Sequence, residues 1–309
     1  MNLKGKDFLT LVDFTKDEIL YLLDFAQEIK KDTKSGHFLP ILQNKNLALI
    51  FSKPSLRTRV SFEIGMRQLG GNSLTLKQDE INLGVRETIA DTARVLSRYV
   101  DCVMIRTFAH KDVEEFAKYA TVPTINGLTD DCHPCQIMAD LLTIKEHFSK
   151  LEGLKLTYVG DGNNVANSLL AGCALVGMDI TIACPKGYEP MEKFLNFAKD
   201  TAKKSGSKVE IVNDPMSAVR GANIIYTDVW ASMGQESEAQ ARKEIFKPYQ
   251  INDKLCSNAS NDCIVLHCLP AHREEEITHS VLEKHAKSIF EQAENRMHAQ
   301  KAILASIIG

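Results

Sequence analysis

The feature of this chain that most limits its fold is the regular alternation of short apolar segments with longer amphipathic ones. The short segments are nearly continuous in hydrophobicity and rich in β-branched residues, as in strands that helices cover on both faces. Between them, apolar residues recur at helical spacing, as Leu56, Val60 and Ile64 do. This order predicts parallel sheets in an α/β fold. The predicted strands are 46–52, 102–106, 156–160, 180–184, 209–212, 224–228 and 264–268.

The chain is long enough for more than one domain. Its 309 residues suggest two domains, at about 100–200 residues each. A stretch that contains Gly153 separates the helical pattern ending near Phe148 from the next predicted strand. We therefore predict two doubly wound parallel-sheet domains, 1–148 and 149–285, followed by a helical segment, 286–309.

Composition argues against several classes of protein. The net charge of −3 is unlike that of nucleic-acid-binding proteins, which usually carry a basic excess. No apolar stretch reaches the roughly 18 residues of a membrane span, and the N-terminus lacks an apolar signal core. The eight cysteines lie mostly in apolar stretches of a large chain, which indicates reduced thiols. We therefore expect a cytoplasmic protein without nucleic-acid or membrane partners, in which a local cluster of positive groups would hold any anion.

One segment combines the features of an anion-binding site. A predicted strand runs into residues 51–59 and a predicted helix runs out of them, with Ser55 as the candidate N-cap. The N–H groups at a helix start attract anions. Thr58 adds a hydroxyl, and Arg57 and Arg59 add guanidinium groups that can each hold two phosphate oxygens. The alternative interpretation is a capped surface helix with solvated arginines.

Two further features of the first half have competing interpretations. Arg106 ends a predicted strand, where ligands bind in α/β proteins, although a surface arginine can equally stand there. Cys132 and Cys135 have the spacing of half a zinc site and enclose His133. A structural zinc site usually needs a second close pair of ligands, and the other cysteines do not supply one. We therefore expect no metal.

The second half offers three candidates that the residues alone leave open. Gly160 and Gly162 follow a predicted strand as in a dinucleotide-binding turn, but Val165 stands where a third glycine would be needed. Asp228 could pair with a cationic substrate or cap a helix. Cys268 could contact a ligand or be packed inertly in its apolar segment.

Five short motifs resemble those of the aspartate and ornithine carbamoyltransferases, in the same order and over nearly the whole chain. They are Ser-Leu-Arg-Thr-Arg (55–59), His-Pro-Cys-Gln (133–136), Asp-Val-Trp-Ala-Ser-Met-Gly (228–234), His-Cys-Leu-Pro (267–270) and Glu-Asn-Arg-Met (294–297). The third and fourth resemble the ornithine branch. The resemblance implies an enzyme of arginine metabolism that moves the carbamoyl group of carbamoyl phosphate to the δ-amino group of L-ornithine, giving citrulline and phosphate without a cofactor.

The resemblance also implies which residues form the site. The catalytic residues would be Arg106, His133 and Cys268. Ornithine would be bound by Asn164, Asp228, Ser232 and Met233. Carbamoyl phosphate would be bound by the catalytic residues together with Ser55, Leu56, Arg57, Thr58, Asn82, Gln136, Leu269 and Arg296.

In the resemblance, the first domain binds carbamoyl phosphate, the second binds ornithine, and the C-terminal helix returns to the first domain with Arg296. Leu56 stands where many relatives have threonine, and Asn82 where many have glutamine. Asn82 and Arg86 lie in a loop that, in the family, reaches a neighbouring subunit. The resemblance therefore implies a homotrimer or a multiple of trimers.

Three other functions are kept as alternatives. A sister carbamoyltransferase acting on putrescine or another amine would keep the phosphate motif but should lack Ser232 and Met233 as readers of an α-amino acid. A nicotinamide-dependent oxidoreductase would use the turn at Gly160. An inactive regulatory homologue would have lost the polar site residues, which this chain retains.

Overall fold

The structure is a computed structural model, and it describes residues 1–309 except Met233 and Gln235. The chain divides into two compact units, Met1–Leu142 with Asn295–Gly309, and Thr143–Glu294. Each unit has one sheet in which every strand pair is parallel. The predicted α/β fold with two parallel-sheet domains is therefore confirmed, and the end of the C-terminal helix belongs to the first unit. The substrates assigned to the domains stay predictions.

The first unit contains a four-stranded sheet in the order β2-β1-β3-β4. Its strands are β1 (Asn46–Phe51), β2 (Asn72–Lys77), β3 (Cys102–Arg106) and β4 (Thr124–Leu128). Its helices are α1 (Lys16–Lys34), α2 (Leu56–Gln68), α3 (Gln78–Ile81), α4 (Ile89–Leu96), α5 (His110–Tyr119) and the first part of α6 (Pro134–Phe148), with a short 3-10 helix at Leu11–Asp13. The strands β1, β3 and β4 are almost entirely buried, as is usual in parallel sheets that helices cover on both faces.

The second unit contains a five-stranded sheet in the order β7-β6-β5-β8-β9. Its strands are β5 (Lys155–Val159), β6 (Asp179–Ala183), β7 (Val209–Val212), β8 (Ile224–Thr227) and β9 (Ile264–His267). Its complete helices are α7 (Asn164–Val176), α8 (Glu192–Ser205), α9 (Pro215–Ala218), α10 (Ala239–Phe246), α11 (Asp253–Cys256) and α12 (His279–Lys284), with 3-10 helices at Glu236–Glu238 and Lys247–Tyr249. The last helix, α13 (Ala286–Ile308), ends in the first unit.

Two strands, β2 and β4, are absent from the sequence-based prediction. β2 lies at the edge of its sheet and is only partly buried, so it lacks a continuous apolar run. β4 contains Asn126 and Gly127, which are uncommon within strands. A side chain at Gly127 would collide with the sulfur of Met104 on β3, so close approach of the two strands requires the glycine.

The predicted N-cap of α2 is present, and a glycine follows the end of the helix. Ser55 is the N-cap, and its Oγ accepts a hydrogen bond from the Thr58 N–H at 3.2 Å. Gly70 follows the helix with a φ of +83°, a conformation that glycine adopts without strain. Gly65, in the middle of α2, lets the side chain of Lys301 on α13 lie against the helix backbone.

The topology of the first unit gathers three loops at one edge of its sheet. β3 lies between β1 and β4, and all three strands run parallel. The carboxyl end of β1 leads to Ser55, β3 ends at Arg106, and the carboxyl end of β4 leads to His133. Ligands of open α/β sheets bind at this edge. Among the described residues, no helix combines the length and apolar character that crossing a bilayer requires.

Candidate active site

The hydroxyl of Thr58 is the point on which the predicted phosphate residues converge. Thr58 lies in the first turn of α2 and is fully buried. Its Oγ1 accepts a hydrogen bond from Arg296 Nη2 at 2.8 Å and a longer one from Arg106 Nη1 at 3.4 Å. The two guanidinium groups are buried as well. Residues that are far apart in sequence thus place positive charge at the start of a helix, which favours an anion there.

His133 lies directly before α6 and is buried beside the same charges. Burial, and then the positive charges of Arg296, Arg106 and Arg57, hold the pKa of His133 well below its ordinary value of 6.5. The imidazole is therefore neutral at physiological pH. A neutral imidazole can donate one hydrogen bond to a carbonyl oxygen without adding a further charge to the cluster.

Gln136 is the last residue of the His-Pro-Cys-Gln motif and lies within α6. Its side chain is buried, and Nε2 donates a hydrogen bond to Asp140 Oδ1 at 2.8 Å. Asp140, one turn further along the helix, therefore fixes the orientation of the Gln136 amide. This orientation determines which of the two polar atoms of the amide can contact a ligand. Leu56, in contrast, is 75% exposed and has an apolar side chain. It would therefore bind an anion through its backbone N–H at the helix start.

Not every residue predicted near the phosphate joins this cluster. Arg59 Nε pairs with Glu63 Oε1 at 2.9 Å on the exposed face of α2. Asn82 is exposed and caps the short helix α3 in a left-handed conformation, with a φ of +44°. Arg86 is also exposed. The structure therefore gives these three residues surface positions.

Two residues predicted for the acceptor side, Asp228 and Cys268, meet after β8 in the second unit. Asp228 Oδ1 accepts hydrogen bonds from the Val229 N–H at 2.8 Å and from the Cys268 thiol at 2.9 Å. Its Oδ2 accepts one from Asn163 Nδ2 at 2.8 Å. The buried carboxylate is thus held in one orientation by donors from three segments. Cys268 contacts a charged group, which excludes purely apolar packing for it.

Asn163 was missed by the sequence prediction, which chose its neighbour Asn164. Asn163 is the N-cap of α7, and its Oδ1 accepts hydrogen bonds from Val165 N at 3.0 Å and Ala166 N at 3.2 Å. The helix cap orients the amide so that Nδ2 reaches Asp228. Asparagine immediately before a helical pattern is a capping signal, and it could have identified this residue. Asn164 is the first residue of α7.

A buried pair behind Cys268 fixes the turn that carries it. His267 Nε2 donates to Glu276 Oε1 at 3.0 Å, and His267 Nδ1 accepts from the Leu269 N–H at 2.9 Å. This pattern assigns the proton to Nε2. Leu269 has a φ of +59° and precedes Pro270 through a cis peptide bond. Ser232 is partly buried in the segment after β8, and Met233 lies outside the described residues.

Among the described residues, two clusters could hold a metal, and other groups already engage both of them. The ligand atoms of Asp228, His267 and Cys268 lie within 4.8 Å of one another, but both ring nitrogens of His267 are used as described above. Only two ligands would remain, fewer than zinc sites use. In a second cluster, at 272–276, Glu275 pairs with Lys243 at 2.7 Å.

The residues considered for a zinc site at Cys135 and for a dinucleotide site at Gly162 are explained by their packing within the protein. Burial raises the pKa of the Cys135 thiol to about 12, and its Sγ donates to the Asn126 carbonyl at 3.5 Å, which disfavours the thiolate that zinc requires. At the glycine turn, a side chain at Gly162 would collide with the backbone of Glu189 and Pro190. The need for this glycine is thus explained by protein packing, and Val165 is buried in α7.

Comparisons with known proteins cover the whole chain. Residues 6–146 match the carbamoyl-P binding domain, and residues 152–307 the Asp/Orn binding domain, of the aspartate/ornithine carbamoyltransferases. An ornithine carbamoyltransferase from Anoxybacillus flavithermus is 56% identical over 308 residues, which are 100% of this chain and 98% of that protein. One from Bacillus subtilis is 55% identical over 99% of this chain and 95% of its own length.

Solved structures agree with the sequence relatives. The ornithine carbamoyltransferase of Pyrococcus furiosus has a TM-score of 0.97 at 51% identity, covering 100% of this chain and 99% of that one. The enzyme from Gloeobacter violaceus has a TM-score of 0.90 at 48% identity, covering 100% of both chains. With its two parallel-sheet units, its cationic helix start and its Asp228–Cys268 pair, this chain belongs to the aspartate/ornithine carbamoyltransferase family.

Proposed function

We propose that this chain transfers the carbamoyl group of carbamoyl phosphate to the δ-amino group of L-ornithine, giving L-citrulline and phosphate. The observation that carries the proposal is the convergence of Arg106 and Arg296 on Thr58, at the helix start beside His133. This arrangement suits a ligand that carries both a phosphate and a polarised carbonyl. The ornithine carbamoyltransferases that match the full chain support ornithine as the acceptor.

The first unit would bind and activate carbamoyl phosphate. The N–H groups after Ser55, the Thr58 hydroxyl and the guanidinium of Arg57 would hold the phosphate, because helix starts and guanidinium groups both bind such anions. Arg106 and neutral His133 would donate hydrogen bonds to the carbamoyl oxygen. These bonds would strengthen as the oxygen becomes negative during attack, which lowers the barrier.

The second unit would select the acceptor and its reactive form. An amine such as the δ-amino group is protonated at neutral pH, since the comparable lysine amine has a pKa of about 10.4. Asp228 would attract this cation, with Asn163 holding its carboxylate in place. Cys268, which donates to Asp228, would contact the same nitrogen. Asn164, Ser232 and Met233 would bind the α-amino acid end of the substrate.

The chemical step would be a direct acyl transfer. After the δ-ammonium has released one proton to solvent, the nitrogen lone pair of the δ-amine attacks the carbamoyl carbon, and the carbonyl electrons move onto oxygen. When the carbonyl re-forms, the bond from carbon to the phosphate oxygen breaks and phosphate leaves with the electron pair. The proton that the attacking nitrogen loses passes to the departing phosphate. The cationic groups around Thr58 stabilise the leaving phosphate. No covalent intermediate with the protein is needed.

The direct test is product formation with three acceptors in parallel. Purified protein would be given carbamoyl phosphate with L-ornithine, putrescine or L-aspartate, and each carbamoylated product would be quantified. Citrulline formation alone would support the proposal. A product from putrescine alone would support carbamoyl phosphate as the donor and overturn ornithine as the acceptor. The absence of all three products would overturn the enzymatic proposal.

We also propose a homotrimer, or a multiple of trimers, as the working assembly. The proposal is supported by apolar side chains exposed on the first unit, Leu56 and Val60 one turn apart on α2, and Leu74 on the edge strand β2. These residues are 75%, 47% and 41% exposed, respectively. Adjoining apolar side chains such as Leu56 and Val60 are the kind that interaction surfaces cover. Sedimentation equilibrium should give a multiple of three times 34.4 kDa, and Val60→Asp should lower that mass.

The cellular setting is a further part of the proposal. All eight cysteines are free thiols, which fits the reducing cytoplasm. A relative from Pyrococcus furiosus, 52% identical over the full chain, is named an anabolic ornithine carbamoyltransferase. We therefore assign the reaction to amino-acid biosynthesis, in the direction of citrulline.

A further inference from the structure

Arg242 lies outside every motif of the sequence, yet it is one of the most connected side chains of the second unit. It belongs to α10, and only 7% of its surface is exposed. Arginine is almost never buried to this extent without partners. Its partners therefore indicate what the residue does.

The guanidinium group of Arg242 joins several segments at once. Nη1 donates to Asp161 Oδ2 at 2.8 Å and to the Trp230 carbonyl oxygen at 3.1 Å. Nε donates to the exposed Glu238 at 3.1 Å. The planar group also lies 5.1 Å from the centre of the Tyr188 ring, within the range of a cation–π contact.

These partners lie in the loops that follow three strands of one sheet. Asp161 follows β5, Tyr188 follows β6 and Trp230 follows β8. Trp230 stands two residues after Asp228 and two before Ser232, and Asp161 stands two residues before Asn163. Arg242 Nη1 therefore holds the segment that carries Ser232 against the segment whose Asn163 orients Asp228.

The electrostatics make this contact hard to replace. Burial raises the pKa of Asp161, and the adjacent Arg242 opposes that rise. Without the guanidinium, Asp161 would tend to take up a proton, and the Trp230 carbonyl would lose its donor. A lysine supplies one ammonium group, which cannot reproduce the separate directions of Nε and Nη1.

We propose that Arg242 is a positioning residue for the amino-acid substrate, which fixes the segment 228–232 against the turn at 161–163. This inference rests on the proposed function, because that function assigns Asp228 and Ser232 to ornithine. Arg242 touches neither substrate. It acts through the Trp230 carbonyl and through Asp161.

The test is a comparison of KM values for the two substrates in Arg242→Lys and Arg242→Met. We expect KM for ornithine to rise on the order of tenfold, because the Trp230 carbonyl loses a charge-assisted donor. KM for carbamoyl phosphate should change by less than about twofold. Glu238→Gln is the matched control. It alters only the exposed acceptor of Nε and should leave both KM values near those of the wild type.

A second comparison separates positioning from stability. Arg242→Met should lower the melting temperature, because it leaves a buried carboxyl without its partner. Adding Asp161→Asn should restore part of that loss, since the uncompensated acid is gone. It should leave KM for ornithine high, because the Trp230 carbonyl still lacks its donor. Recovery of KM together with stability would overturn the proposal, as would equal changes for both substrates.

The remaining outcomes are also decisive. If the Arg242 variants fail to fold, Asp161→Ala removes one of the two Nη1 acceptors and should raise the same KM. An unchanged KM for ornithine in that variant would overturn the inference. A wild-type protein that forms no citrulline would overturn the proposed function and this inference together, whereas active wild type with unaffected variants would overturn the inference alone.

Discussion

Each unit carries one half of the candidate site residues, and the two sets solve opposite electrostatic problems. In the first unit, the guanidinium groups of Arg106 and Arg296 meet at Thr58. Burial, and then the positive charges of Arg296, Arg106 and Arg57, lower the pKa of His133 and keep it neutral. Around Asp228, the second unit surrounds a single negative charge with neutral donors from Asn163 and Cys268. The first arrangement concentrates charge of one sign, and the second spreads one charge over a hydrogen-bond network.

The difference indicates what each half requires of its ligand. Like charges in a low-dielectric setting repel strongly, so a bound multivalent anion would offset the repulsion among these groups. The carboxylate of Asp228 is already solvated by protein donors, so an incoming ammonium adds one more partner. We therefore expect phosphate binding to stabilise the first unit strongly, and acceptor binding to depend on geometry more than on net charge.

The largest effect is expected from Arg106→Gly. This change removes a donor to the carbamoyl oxygen, and the loss of one such donor typically lowers kcat by about 10²–10³-fold. Steady-state kinetics should show this drop with KM for ornithine nearly unchanged. A rate equal to that of the wild type would remove Arg106 from the mechanism.

Asp228→Asn tests the acceptor half and should have the next largest effect. The substitution keeps the shape of the side chain and removes its charge, so kcat/KM for ornithine should fall by about 10–100-fold. Asp214, an exposed helix-capping aspartate of the same unit, supplies the control, since Asp214→Asn should leave kinetics unaffected. Equal losses in the two variants would show that the effect is not specific to the site.

Inorganic phosphate should stabilise the protein through Arg57 and not through Arg59. At a phosphate concentration of about ten times its Kd, the expected gain is about 1.4 kcal/mol. Thermal unfolding should show this gain in wild type and in Arg59→Gln, because Arg59 pairs with Glu63 on the surface. Arg57→Gln should lose most of it. If phosphate failed to stabilise Arg59→Gln, Arg59 would have to be assigned to the phosphate site.

The smallest effect concerns Lys301, a buried cation outside both halves. Its Nζ donates to Thr33 Oγ1 at 2.6 Å and to Gln68 Oε1 at 2.8 Å, which are neutral acceptors. Burial lowers the pKa of Lys301 from 10.5 to about 8. Between these values Lys301 holds more protons in the unfolded chain than in the folded one, so this residue contributes a rise with pH to the free energy of unfolding.

Urea unfolding at about pH 8 and about pH 10 measures that slope. Lys301→Met removes the titrating group and fills the same space, so the rise should shrink in this variant. Lys203, whose ammonium pairs with Asp200 on the surface, gives the control, because Lys203→Met should retain the full rise. An equal pH dependence in the wild type and in Lys301→Met would contradict the pKa shift of Lys301.

By itself, the sequence determined the fold class, the two-domain organisation and the residue types of the site. Those properties are local: β-branched runs predict covered strands, Ser55 before a helical pattern predicts a cap, and Ser-Leu-Arg-Thr-Arg predicts anion binding. The edge strand β2 and the glycine-containing β4 escaped prediction, because neither has a continuous apolar run.

Only the tertiary structure decided which polar residues work together. Arg57 and Arg59 look alike in sequence, yet one lies close enough to lower the pKa of His133 and the other pairs with Glu63. Asn163, which the sequence prediction missed, donates to Asp228, and Arg242 contacts the Trp230 carbonyl from a helix with no motif. Burial and long-range hydrogen bonds set these roles, and both arise only when segments distant in sequence pack together.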